Sequence, residues 1–207
     1  AGRLSYLVNL QGPCLSIDAA SSSSLVAIAT ACDSLISGNC DLALAGGVYV
    51  MVLPDMHIKS SQSGMLSRDG KCHTFDRRAN GFVPGEGVGV IMLKRLSDAE
   101  KDNDMIYGVI QGWGVNQDGK TNGITAPNEE SQIRLEQTLY DKFQIDPNGI
   151  QLIEAHGTGT KLGDPIEVNA LKESFKKYTN KKKYCALGSV KSNIGHCLTA
   201  GGGGSFI

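Results

Sequence analysis

Three widely separated positions carry residue types that can form or stabilise a negative charge. Ser21 follows an apolar stretch and directly precedes a segment with helical spacing. The first turn of a helix presents free N–H groups and the positive end of the helix dipole, so this is a favourable place for a nucleophile. His156 lies in the sequence EAHGTGT at residues 154–160, and His196 ends the sequence NIGH at residues 193–196. Neutral imidazoles at these positions could donate hydrogen bonds to a developing oxyanion.

The elements around Ser21 indicate an α/β chain. Residues 15–20 predict a short buried strand, residues 22–37 a helix with apolar residues near helical spacing, and residues 41–48 a second buried strand. Residues 60–81 are polar and rich in turn formers, which predicts a long loop, and residues 88–96 predict another strand. The nucleophile candidate therefore lies in a strand–turn–helix–strand unit, which is typical of layered α/β folds.

The second half of the chain repeats this alternation of strands and helices. A charged connector at residues 96–104 separates it from the first half, and we place the boundary between residues 97 and 98. The helix before the last strand is expected to begin with Asp164 as its cap and Pro165 at its first position. The predicted elements are a strand at 106–115, a helix at 128–143, a strand at 150–155 that delivers His156, a helix at 164–178 and a strand at 186–190.

The motifs, taken in their order, resemble those of β-ketoacyl synthases, in particular the ketosynthase domains of modular polyketide synthases. Three segments carry the resemblance: GPCLSIDAASSSSL at residues 12–25, EAHGTGTKLGDPIE at residues 154–167, and GSVKSNIGH at residues 188–196. The resemblance implies a thiolase-like fold, a duplicated unit of layered helices and mixed sheets, here incomplete at both ends and corresponding to the central half of a ketosynthase. Residues 1–97 would form the half that bears the nucleophile, and residues 98–207 the half with the two histidines.

The family likeness also implies a reaction, the decarboxylative Claisen condensation of an enzyme-held acyl chain with malonyl-acyl carrier protein. Ser21 occupies the position at which the family has its catalytic cysteine. His156 and His196 correspond to the pair used in decarboxylation and condensation, and Lys191 corresponds to the lysine that supports them. Residues 76–82 match a loop that lies near the active site in the family.

The resemblance assigns supporting roles to three further residues. Thr158 and Thr160 are expected to hydrogen-bond the phosphopantetheine arm of the substrate, with turn formation between glycines as the alternative. Glu167 corresponds to an acidic residue close to the histidines. No metal or cofactor would be bound by the domain itself, because phosphopantetheine is carried by the acyl carrier protein. The expected partners are that carrier, neighbouring domains of a multidomain synthase and a second copy in a homodimer.

Ser21 is the clearest departure from the family pattern. A serine hydroxyl is far less acidic than a thiol, whose pKa is about 8.5, so it cannot supply a resting thiolate. We hypothesise that Ser21 is an engineered replacement that abolishes turnover or traps a slowly formed acyl ester, since the other catalytic motifs are intact. A natural serine is the alternative, and the codon in the native gene decides between them.

A second departure is the run of four glycines at residues 201–204, where a helix is expected. Each glycine costs a helix interior about 1 kcal/mol relative to alanine. The run is either an unusual natural sequence or an altered segment.

Composition excludes several other classes of protein. The net charge of −1 creates no field that would favour nucleic acid or an anionic membrane, and no apolar run reaches the roughly 20 residues of a membrane span. The six cysteines include no C-x-x-C pair, which argues against zinc. Scattered cysteines in an α/β chain indicate a reduced, cytoplasmic protein.

Two other functions compete with chain elongation. A non-elongating domain would bind the acyl carrier protein and gate the chain without condensation; Ser21 favours this interpretation and the two histidines oppose it. A serine hydrolase would require a Gly-x-Ser-x-Gly elbow, whereas Ala19 and Ser23 flank Ser21 here.

Overall fold

The computed structural model describes residues 1–206. Within them, the chain forms helices and two small two-stranded sheets. Strands β1 and β2 pair antiparallel in full register from Leu42–Lys94 to Tyr49–Gly87, while β3 and β4 pair parallel. The strands are β1 (Leu42–Tyr49), β2 (Gly87–Lys94), β3 (Leu152–Glu154) and β4 (Ala186–Gly188). The helices are α1 (Gly2–Leu7), α2 (Ser23–Ile36), α3 (Asp55–Gln62), α4 (Leu96–Lys101), α5 (Glu129–Phe143), α6 (Gly163–Lys176), α7 (Lys191–Ile194) and α8 (Gly201–Phe206), with 3₁₀ turns at Ala20–Ser22, Pro147–Gly149 and Leu198–Ala200.

Helix α2 packs on the β1–β2 sheet and forms the main apolar core. Ile28 and Cys32, one turn apart on α2, contact Ala45 of β1, and partly buried side chains such as Ile91 and Trp113 close around them. Residues four apart lie on the same face of a helix, so this spacing turns one stripe of α2 toward the sheet. The packing holds α2 against the sheet, and with it the turn before α2 that carries Ser21.

The parallel β3–β4 pair brings two functional loops to one edge. His156 follows the end of β3 by two residues, and Lys191 follows the end of β4 by three. Because parallel strands end on the same side of a sheet, the two loops leave it together. The Ser189 hydroxyl donates to the His156 carbonyl over 3.3 Å, which joins the loops directly.

Most predicted elements are confirmed, but two predicted strands are wrong. Residues 15–20 and 106–115 form no strand, because neither segment has a ladder partner among residues 1–206. The second segment instead runs along α5, where Gly114 allows the backbone to approach Leu139 closely. Helix α4 spans the predicted half boundary at residues 97 and 98, and the division into two halves remains a prediction.

Helix α6 starts differently from the expectation. Leu162 is its N-cap, and Asp164 lies inside the first turn with its carboxylate directed to the preceding loop. The expected cap at Asp164 is therefore wrong. The glycine run does form a helix, α8, as its flanking residues indicated. No helix within residues 1–206 combines the length and apolar character that crossing a membrane would require.

Candidate functional site

A sharp turn presents Ser21 ahead of helix α2. The residue before it, Ala20, has φ +50°, a left-handed conformation that non-glycine residues seldom adopt. Ser23 holds the turn from both sides, because its hydroxyl accepts from the Ala19 N–H at 2.9 Å and donates to the Ala20 carbonyl at 2.7 Å. The strained turn thus holds Ser21 partly exposed at the start of the helix.

His196 lies against the Ser21 hydroxyl and donates to it. Its Nε2 is 3.1 Å from Ser21 Oγ, while its Nδ1 accepts from the Leu198 N–H at 3.2 Å. We assign the tautomer from this network: Nδ1 is an acceptor, so the proton of the neutral ring is on Nε2. Burial, followed by the charge effects of His156 and Lys191, lowers the pKa of His196 to about 3. At neutral pH this imidazole is therefore a hydrogen-bond donor and cannot take a proton from Ser21.

The His196 ring is enclosed on two further sides. The edge of Phe82 meets it with ring centroids 5.3 Å apart at 75°, and both residues are buried, at 7% and 3% exposure. A Cβ at Gly201 would lie 3.2 Å from two ring atoms, so the start of α8 also closes on the ring. This apolar, close-packed setting removes water from the imidazole, which explains the direction of its pKa shift.

His156 stands beside His196 and is held by its backbone. The two rings are 5.4 Å apart between centroids, at 86°. The carboxylate of Glu167 accepts from the His156 N–H at 2.7 Å and from the Gly157 N–H at 2.8 Å. The residue as a whole is exposed to solvent, but many protein atoms surround its ring, and the resulting desolvation, followed by the charge of Lys191, lowers its pKa to about 4. Both imidazoles are therefore neutral at pH 7.

Lys191 supplies positive charge close to the two histidines. It is buried, with 4% exposure, at the start of α7. Burial lowers its pKa, while the nearby carboxylates of Glu154 and Glu167 act in the opposite direction. Because its positive charge opposes protonation of both rings, Lys191 helps to keep His156 and His196 neutral.

Thr158 and Thr160 lie on the loop that follows His156. Their hydroxyl oxygens are 3.2 Å apart, and Thr160 Oγ1 accepts from the Gly163 N–H at 3.1 Å. Thr160 therefore has a structural partner at the start of α6. Contact of either hydroxyl with a phosphopantetheine arm remains a prediction.

The structure brings Ser21, His156, His196 and Lys191 together, with Glu167 behind them. Sequence reasoning missed Leu198, whose N–H selects the His196 tautomer, and treated Asp164 as a simple cap. It identified the loop at residues 76–82, but no local signal shows that Phe82 would contact His196. Within residues 1–206, no group of three or more His, Cys, Asp or Glu residues is arranged to hold a metal ion.

Comparison with known proteins matches nearly the whole chain. Residues 1–99 match the family model for the β-ketoacyl synthase N-terminal domain, and residues 107–207 match that for the C-terminal domain. Polyketide synthase PksL of Bacillus subtilis (strain 168) is 54% identical over 202 residues, which cover 98% of this chain and 4% of PksL. Polyketide synthase ThaG of Burkholderia thailandensis is 49% identical over 202 residues, which cover 98% of this chain and 4% of ThaG.

Solved structures match over the full length of the chain. The ketosynthase from module 6 of the bacillaene synthase from Bacillus subtilis 168 superposes with a TM-score of 0.98 at 53% identity. A cysteine-to-serine mutant of the same ketosynthase superposes with a TM-score of 0.98 at 54% identity. The chain covers 37% and 36% of these two solved chains, less than the half of a ketosynthase that the motifs indicated.

Proposed function

This chain belongs to the β-ketoacyl synthase family, and from that premise we propose that it is the catalytic middle of a ketosynthase domain that elongates polyketide chains. The reaction would be a decarboxylative Claisen condensation between an acyl chain held at residue 21 and a malonyl group on an acyl carrier protein. One observation carries the proposal. Ser21 Oγ lies 3.1 Å from His196 Nε2, and the ring of His156 lies 5.4 Å from that of His196.

With cysteine at position 21, each step has a group in place. The thiolate at the start of α2 would attack the acyl thioester carbon, and the phosphopantetheine thiolate would leave. The malonyl carboxylate would depart as carbon dioxide, and its bonding electrons would form an enolate. The Nε2–H of His196 and a ring N–H of His156 would stabilise the enolate oxygen. The enolate carbon would then attack the enzyme-bound acyl group and expel the thiolate of residue 21.

With serine at this position, the first step lacks a proton acceptor. The hydroxyl of Ser21 must lose a proton to attack a thioester, but the adjacent Nε2 of His196 already carries one. We therefore propose that this form acylates slowly or not at all, whereas the enolate-stabilising pair is intact. A serine at this position would thus interrupt the reaction at transfer of the acyl chain.

The alternative function is a non-elongating domain that binds the acyl carrier protein and gates its chain. The Ser21 hydroxyl favours this function, because it accepts a hydrogen bond from His196 and, within residues 1–206, has no base beside it to make it a nucleophile. The neutral, mutually perpendicular histidines favour elongation, because gating has no need of two oxyanion donors.

The proposed partners are the acyl carrier protein with its phosphopantetheine arm, neighbouring synthase domains and a second ketosynthase copy. The curated relatives support the neighbouring domains, because the chain spans only 4% of PksL. We also propose that the protein acts in the cytoplasm, in keeping with the six free cysteines within residues 1–206.

Intact-protein mass spectrometry of the complete domain tests the proposal. The domain would be studied as Ser21, as Ser21→Cys and as Ser22→Cys, each given an acyl-carrier protein and then malonyl-carrier protein. Ser22→Cys is the matched control, because it places a thiol one residue away in the same exposed turn. We expect only Ser21→Cys to acylate quickly and to release a product two carbons longer than its primer. If Ser21→Cys binds the acyl carrier protein but does not elongate the chain, the elongation proposal is wrong and the gating function is supported.

A further inference from the structure

Asp164 is a buried carboxylate that accepts hydrogen bonds from three backbone N–H groups, which belong to two segments far apart from each other in the chain. Its Oδ1 accepts from Gly159 at 3.1 Å and from Thr160 at 3.3 Å, and its Oδ2 accepts from Phe75 at 2.8 Å. The side chain has 4% exposure and lies in the first turn of α6, where the helix dipole favours negative charge. We propose that Asp164 is a positioning residue that holds the loop at residues 157–160, the proposed contact of the phosphopantetheine arm, an inference that rests on the proposed function.

The two segments that Asp164 joins fit together with little space between them. The Thr74 hydroxyl donates to the Gly157 carbonyl at 2.8 Å, next to the Phe75 N–H that Asp164 binds. A Cβ at Gly159 would lie 2.9 Å from the His73 nitrogen. The loop at 157–160 is therefore docked on residues 73–75, and Asp164 is the group that contacts both.

The carboxylate also stabilises backbone conformations that are costly alone. Phe75 has φ +54°, in the left-handed region that bulky residues rarely occupy, and Gly159 has φ +75°. Both donate their N–H groups to Asp164. An amide in its place offers one acceptor oxygen and presents an NH₂ group to the remaining donor, so Asn cannot bind both segments.

Asp164 acts on one part of the site more than on the other. Thr158 and Thr160, the proposed contacts of the phosphopantetheine arm, lie on the loop that it holds. His156 is anchored separately by the carboxylate of Glu167. Loss of the Asp164 carboxylate should therefore weaken substrate binding while leaving the histidine chemistry largely unchanged.

The test uses the complete domain with Ser21→Cys as parent and compares Asp164→Asn with Asp76→Asn. Asp76 is the matched control, because its carboxylate lies on the same loop as Phe75 but bonds the exposed Arg78. We expect Asp164→Asn to raise the KM for malonyl-carrier protein at least about tenfold with kcat within about threefold, and Asp76→Asn to change neither by more than about twofold. Equal KM values for the two variants, or a fall confined to kcat, would overturn the inference.

A second variant and a binding measurement keep the test decisive. Thr74→Val removes the hydrogen bond from the Thr74 hydroxyl to the Gly157 carbonyl, and we expect it to raise the KM by a smaller factor, about threefold. If Asp164→Asn does not fold, Thr74→Val tests the same docking of the loop. In the Ser21 form, the Kd for malonyl-carrier protein should also rise with Asp164→Asn. If the parent binds the carrier but does not elongate, the proposed function fails, whereas an unchanged Kd in Asp164→Asn refutes only the positioning role.

Discussion

Replacing His196 with glutamine should change how the stability of the domain depends on pH. His196 is buried at 3% exposure, and burial together with His156 and Lys191 lowers its pKa from 6.5 to about 3. In the unfolded chain the same side chain binds a proton near its ordinary value. Between these two values the unfolded state binds more protons than the native state, so stability falls as the pH falls through this window and is fully present above it.

The size of the effect follows from this pKa difference. At about pH 4.5 nearly every unfolded molecule carries the proton and nearly every native molecule lacks it, which costs about 2.5 kcal/mol relative to pH 7. Glutamine keeps an N–H donor for Ser21 but does not titrate, so His196→Gln should not lose this increment. Between pH 7 and about pH 4.5, the free energy of unfolding of the parent should therefore fall by about 2.5 kcal/mol more than that of His196→Gln.

Urea unfolding of the complete domain at the two pH values measures this difference directly. Carboxylates that titrate in the same range contribute equally to both proteins and cancel. His57→Gln is the control for the same exchange of side chains, because His57 is exposed on α3 and far from the packed ring of His196 in the chain. Equal losses of unfolding free energy in the parent and His196→Gln would refute the desolvated, neutral imidazole from which the donor role was derived.

Two further predictions concern the packing around the same site. Gly202→Ala should destabilise the domain by about 1–3 kcal/mol, because its Cβ would lie 2.5 Å from Leu25 Cγ. Gly203→Ala should instead raise the melting temperature, because its Cβ meets only ordinary contacts and alanine reduces the conformational entropy of the unfolded chain. A lower melting temperature for Gly203→Ala would contradict this reasoning. Glu167→Gln, in the Ser21→Cys background, should lower kcat about tenfold or more by releasing the His156 backbone, and an unchanged kcat would contradict that role.

Local patterns predicted the elements that carry their own signal. Helices α2 and α5 appear where apolar spacing placed them, and β1 appears within one residue of its prediction. The two strands at 15–20 and 106–115 were wrong because an apolar extended segment becomes a strand only when a partner backbone is beside it. A periodic pattern contains no information about whether that partner exists.

Asp164 shows a similar limit at the level of one side chain. An Asp followed by Pro at a helix start predicts a cap from local chemistry alone. Of the three N–H groups that bind this carboxylate, one belongs to Phe75, 89 residues away, and its geometry arises only after the two segments have packed.

Residue types and their order along the chain define the chemical repertoire: a helix-start position occupied by Ser21, two histidines in glycine-rich motifs, and a lysine between them. These follow from residue types and short spacings, which are local properties. The tertiary fold, in contrast, brings the Nε2–H of His196 against Ser21, a residue 175 positions away, and buries the His196 imidazole so that it stays neutral. Hydrogen-bond direction and desolvation depend on which atoms surround a group, and that environment is created by packing between segments that are distant in the chain.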